Sequence, residues 1–193
     1  MDKGIIEQKR ETKETQITVR LLMEKDTEPS INTNLPFFNH VLHSMAFHGR
    51  FYLAVDAQGD IEVDAHHLVE DTGIVIGRAL REHYNRSKKI NRYGHAVIPM
   101  DDALSEAVID VCERPFLVFD ANFPQEYSGS FHMPLIKEYL LALVNSARIN
   151  LHARCLYGGN SHHMAEALFK ALGKALKTAY TPDSRDMSTK GTI

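Results

Sequence analysis

One five-residue pattern occurs twice, as His66-His67-Leu68-Val69-Glu70 and His162-His163-Met164-Ala165-Glu166, the second copy 96 residues after the first. In a chain of 193 residues that interval is half the length. A repeat at such spacing points to internal duplication, two copies of one supersecondary unit sharing a core. Thr15 to Leu22 alternates apolar and polar residues and predicts a strand. Phe37 to His48 sets Phe37, Val41 and Met45, with Phe38 and Leu42 beside them, at helical spacing. Phe51 to Ala57 reads as a strand, and Gly59-Asp60 turns into a short strand over Ile61 to Val63. A helix opens at His66, with Val69, Gly73, Ile76, Leu80 and Tyr84 on one stripe.

The second half predicts a similar order. Leu104 to Val111 reads as a strand, and so does Pro115 to Asp120, which stands 98 residues after Ile17 to Leu22. Leu135 to Ala147 is a helix, Ile149 to Cys155 a strand and Gly158-Gly159 a turn. Ala165, Leu168, Leu172, Leu176 and Ala179 mark a last helix that begins at the second histidine pair. The expected fold class is α/β, an α+β sandwich of two β-β-α-β-(β)-α halves, about 4–93 and 94–180, with sheet on one side and helices on the other. The polar tail, 181–193, has no apolar period and is expected to be a flexible terminus.

Adjacent histidines on a helix point about 100° apart, whereas residues three or four apart share a face. Glu70 can therefore join one ring of its pair but not both, and the same holds for Glu166. Two such clusters suit two metal ions. The duplication adds His40, 26 residues before His66, and Glu138, 24 residues before His162. The candidate ligand set is His40, His66, His67, Glu70, Glu138, His162, His163 and Glu166. Imidazole plus carboxylate without thiolate fits Mn²⁺, Fe²⁺ or Zn²⁺ with open positions, not structural zinc. His43, His48, His83, His95, His132 and His152 read as surface or structural residues.

Composition excludes several classes. A net charge of −3 argues against a general nucleic-acid coat, so an anionic substrate needs local cations. Two cysteines, Cys112 and Cys155, cannot build a disulfide framework, and the cytoplasm is the expected setting. No apolar run is long enough for a membrane span, and no signal peptide is expected at the start.

RETKETQITV, PFFNHVLHSMAFHGRF, GDIEVDAHHLVEDTGIVIGRAL, INRYGHAVIPMDDAL, ERPFLVFD, LYGGNSHHMAEALFKALGKAL and the closing STKG resemble the imidazoleglycerol-phosphate dehydratase family over nearly the whole chain. The resemblance implies a hydro-lyase of histidine biosynthesis that converts imidazole glycerol phosphate to imidazole acetol phosphate. It implies two Mn²⁺ ions between neighbouring subunits and a ribosomal protein S5 domain 2-like fold. It also implies a homo-oligomeric 24-subunit shell built from trimers. The family's ligands fall on His40, His66, His67, Glu70, His162, His163 and Glu166. Its usual residue at Glu138 is a histidine, so this chain departs there. Its phosphate contacts fall on Arg92, Arg114, Lys170, Ser188 and Lys190, the last two in a tail that would order over the phosphate. Glu14 matches a glutamate that contacts the glycerol hydroxyls.

The chemistry expected of such a site begins with the substrate's ring. Two cations lower the pKa of its N–H, giving a di-manganese-bound imidazolate that expels the neighbouring hydroxyl. Glu14, with Glu166 or Glu70, would handle protons. Two rivals use similar residues. A two-metal phosphate-ester hydrolase would release phosphate, and a metal-storage shell would need no phosphate clamp.

Overall fold

The computed structural model describes residues 4–87 and 89–184. The first half runs β1 (Ile6–Glu11), β2 (Thr15–Leu22), β3 (Ser30–Asn32), α1 (Pro36–Gly49), β4 (Tyr52–Gly59) and α2 (His66–Ser87). The second runs β5 (Tyr93–Met100), β6 (Ala103–Val111), β7 (Phe116–Asp120), a hairpin of β8 (Tyr127–Ser128) and β9 (Phe131–His132), then α3 (Leu135–Ala147), β10 (Ile149–Tyr157) and α4 (Ser161–Tyr180). The spatial orders are β1-β2-β4-β3 and β5-β6-β10-β7. In each sheet the last strand is parallel to its neighbour and the other pairings are antiparallel.

This shared topology corrects the predicted correspondence of strands. Pro115 to Asp120 becomes β7, whose counterpart is β3, because both are parallel edge strands. The counterpart of β2 is β6. Each half is therefore β-β-β-α-β-α. The expected strand over Ile61 to Val63 is a turn, in which Val63 and Asp64 donate backbone N–H to the Asp60 carbonyl. Val63 is 77% exposed there, so a strand would gain nothing by burial.

The alternation in β2 and β6 puts one side chain in two against helices. Within a half, sheet and helices form the expected two layers. The halves then join helix to helix, α1 on α4 and α2 on α3, so the helices lie between two outer sheets. Small residues allow the close approach. A Cβ on Gly173 of α4 would overlap the Met45 carbonyl of α1, and one on Gly73 of α2 would lie 2.5 Å from the Tyr139 carbonyl of α3. Phe38, Met45, Leu68, Tyr139, Leu143, Phe169 and Leu172 fill the shared core.

The start of the tail differs from a free terminus. Asn91 donates to the Thr181 carbonyl at 2.8 Å, Ile90 bridges to Pro182, and Asp183 donates to the Lys89 carbonyl. These partners come from the stretch just before β5.

Candidate metal centre

Both histidine pairs occupy the first turn of a helix, and a cap two residues earlier fixes each. The His66 N–H donates to Asp64 Oδ1 at 3.0 Å. The N–H groups of His162 and His163 donate to Asn160 Oδ1 at 2.9 and 3.4 Å. Side-chain acceptors of this kind satisfy amides that a helix start leaves unpaired. Each pair's rings then stand nearly perpendicular, at 83° in the first and 88° in the second. His162 turns to the α1–α4 junction, while His67 and His163 turn to carboxylates in the neighbouring turns.

At the α1–α4 junction, His162 meets His40 and Glu166, with possible ligand atoms of all three within 4.8 Å of one another. Glu166 Oε2 lies 3.0 Å from His40 Nε2 and 3.2 Å from His162 Nε2. The carboxylate is the floor, with a side chain only 9% exposed, while the two rings are 44% and 42% exposed and form the rim. Phe37 backs the His162 ring at 5.1 Å, and Phe131 from β9 packs on Phe37. Lys170, one turn along α4, donates to Glu166 Oε1 at 2.8 Å. Burial alone would raise the Glu166 pKa, but hydrogen bonds from Lys170 and His40 outweigh it and hold the carboxyl at about 2. Glu166 is thus an anion at neutral pH, as a ligand must be.

On α2, His66 Nε2 is 3.9 Å from Glu70 one turn later, and among the described residues these two do not form a compact ligand group with Glu138. Glu138 stands on the facing helix α3 at the position equivalent to His40. Arg50 and Arg148 show the equivalence, since each closes its helix in the left-handed region, φ 54° and 57°.

The other rings find carboxylates in turns. His67 Nδ1 is 3.3 Å from Asp60 and 3.8 Å from Glu14 in the β1–β2 turn. His67, Glu14 and Asp60 form a second compact ligand group. The Asp60 hydrogen bond raises the His67 pKa. His163 Nδ1 is 2.7 Å from Asp102 in the β5–β6 turn. The His163 hydrogen bond and the Gly159 amide hold Asp102 at about 2. The sequence reading missed Asp60 and Asp102, as well as the caps Asp64 and Asn160. An Asx residue two places before each pair was the available signal for the caps. Buried Asp71 was also missed. It accepts from Thr15 Oγ1 at 2.5 Å and pairs with Arg10 at 2.7 Å, anchoring the turn that carries Glu14.

Among the described residues the expected phosphate contacts are not gathered within one chain. Lys170 adjoins Glu166, but Arg92 pairs with Asp110 at 2.6 Å, at the end of β6 far from Asp102. Strand rise puts the two ends of β6 about 26 Å apart. Arg114 lies just past that far end and is exposed. Ser188 and Lys190 lie outside the described residues.

Residues 33–176 match the sequence model of imidazoleglycerol-phosphate dehydratase, a span that holds every candidate metal ligand. The chain belongs to the imidazoleglycerol-phosphate dehydratase family. The dehydratase of Limosilactobacillus fermentum is 49% identical over 188 residues, covering 96% of this chain and 97% of that protein. That of Acidithiobacillus ferrooxidans is 44% identical over 191 residues, covering 97% and 96%. The crystal structure of the dehydratase from Pyrococcus furiosus superposes with a TM-score of 0.85 at 38% identity, covering 96% of this chain and 99% of that one. The Staphylococcus aureus dehydratase gives 0.84 at 38% identity, covering 93% and 99%.

Proposed function

We propose that this chain is a hydro-lyase of histidine biosynthesis that dehydrates imidazole glycerol phosphate to imidazole acetol phosphate using two divalent ions, Mn²⁺ in the first instance. Family membership supports the reaction. The observation that carries the metal reading is the His40–His162–Glu166 trio, in which residues from both halves converge on one point. Its donor set of two imidazoles and one carboxylate fits a first-row divalent ion with open positions. His66, Glu70 and Glu138 would hold the other ion. When bound, the ions would supply the Lewis acidity that lets a substrate ring nitrogen release its proton near neutral pH.

The chain's own groups divide the remaining work. Glu166, pinned as an anion by Lys170, serves as ligand and leaves proton handling to others. Glu14 sits on a turn braced by Thr12, Thr15 and Asp71, and is 55% exposed. That position suits a group that takes a proton from the glycerol chain, with Glu70 as the second carrier.

The His40–His162–Glu166 trio opens outward, and His67 and His163 turn instead to Asp60 and Asp102, so we read one chain as offering only part of each site. We assign the missing imidazole of each ion to a second copy of the chain, giving shared sites within a 24-subunit shell of trimers. The distance from Arg92 and Arg114 to Lys170 favours the same arrangement, with a phosphate clamp drawn from more than one subunit. Ser188 and Lys190 would complete it, in a tail over 181–193 that orders on phosphate. No described helix is long and apolar enough to cross a membrane, and we place the enzyme in the cytoplasm.

The deciding experiment is an assay for imidazole acetol phosphate with chelator-stripped protein, then with added Mn²⁺. Ketone formation should vanish and return. Full turnover without metal overturns the reading, and release of inorganic phosphate would favour a hydrolase.

A further inference from the structure

Among the four paired histidines, His163 makes the shortest contact with a carboxylate, 2.7 Å from Nδ1 to Asp102 Oδ1. An ionised carboxylate only accepts, so Nδ1 carries the ring proton. The other nitrogen, Nε2, has Asp101 Oδ2 at 3.7 Å, too long for a hydrogen bond. The second oxygen of Asp102 holds backbone. Asp102 Oδ2 accepts from the Gly159 N–H at 2.6 Å and from the Asn160 N–H at 3.1 Å. Asn160 in turn caps His162 and His163. One side chain on the β5–β6 turn therefore fixes both the His163 ring and the peptides from which α4 sets out. The first half divides these tasks: Asp60 meets His67 at 3.3 Å, while Asp64 caps the helix.

We propose that Asp102 is a positioning residue for metal binding. It keeps the His163 proton on Nδ1, which leaves the Nε2 lone pair free for an ion. It also sets the start of α4, the helix that brings His162 to Glu166. The nitrogen it frees is the same one that His40 and His162 turn to Glu166. A ring whose far N–H is held by a carboxylate is fixed in orientation and tautomer and is the more basic ligand. Loss of such a partner typically weakens metal binding by about 10–100-fold. This rests on the reading that His163 is a metal ligand.

The test is Asp102→Asn in chelator-stripped full-length protein. The amide oxygen can still accept from Gly159 and Asn160, but the amide nitrogen then faces His163 as a donor and moves the ring proton to Nε2. Nitrogen NMR of histidine-labelled, metal-free protein in mildly alkaline buffer reads this directly, with His163→Gln to assign the signal. The proton should sit on Nδ1 in wild type and on Nε2 in the variant. Mn²⁺ titration, followed through the paramagnetic resonance signal of the free ion, should show one ion per chain bound about 10–100-fold more weakly in Asp102→Asn. The urea midpoint should change little. A wild-type His163 with its proton on Nε2 overturns the positioning role alone. So does unchanged Mn²⁺ affinity in Asp102→Asn, the result a purely structural carboxylate would give. The wild-type tautomer decides the matter if the variant folds poorly. Wild type that binds no Mn²⁺ overturns the metal reading with it.

Discussion

At Glu166 burial and charge act in opposite directions, and charge prevails. Its folded pKa of about 2 lies below the ordinary 4.5, so between those values the unfolded chain binds the proton more readily. The stability that the ionised carboxylate contributes is full above pH 4.5 and is lost as pH falls toward 2. In metal-free protein, the difference in Tm between wild type and Glu166→Gln should therefore shrink across that window. A difference that stays constant would contradict the ion-pair account. The same carboxylate is the floor of the candidate metal trio, so on the proposed function Glu166→Gln should also lower Mn²⁺ occupancy at neutral pH by about one ion per chain, measured by elemental analysis.

At the scale of elements, the site depends on how closely two helix pairs approach and on how two helices begin. Gly173 lies against the Met45 carbonyl one turn beyond His40, so Gly173→Ala must push α1 from α4. We expect a loss of about 1–3 kcal/mol in urea unfolding, typical of overpacking, together with weaker Mn²⁺ binding as His40 moves from Glu166. Retained affinity would mean that the trio tolerates helix displacement. Asn160→Ala should cost about 1 kcal/mol through the lost cap, and should disturb His162 and His163 but not His66 and His67. Helices α3 and α4 were legible in the sequence almost to the residue, because apolar spacing and flanking turns agreed. The short β3 was not legible. Its three residues carry too little alternation, and its role as a parallel edge is set by β4. The turn over Ile61 to Val63 misled for the converse reason, since Val63 there is exposed and Ile61 only partly buried.

At the scale of the whole molecule, the sharing of the site proposed above would tie assembly to metal. Chelation should break large particles into smaller ones in sedimentation velocity, and Mn²⁺ should restore them. A large particle unchanged by chelator would exclude metal as the link between subunits. The outward-facing rings His40 and His162 and the remote Arg92 are the features behind this expectation.

The sequence by itself determined the duplication, the helices and the identity of most metal-binding candidates, because helical period and the choice of histidine and glutamate are local properties. It could not determine that His40 meets His162 rather than its own half's histidine pair. That pairing arises from helix-on-helix docking between halves, which depends on contacts about a hundred residues apart. The carboxylates that orient His67 and His163 lie nearer in sequence, 7 and 61 residues before the rings, and were hidden by the turns that bring them back. Asp60 and Asp102 reach the rings only after turns and helix starts are brought together, and no spacing in the chain encodes that meeting.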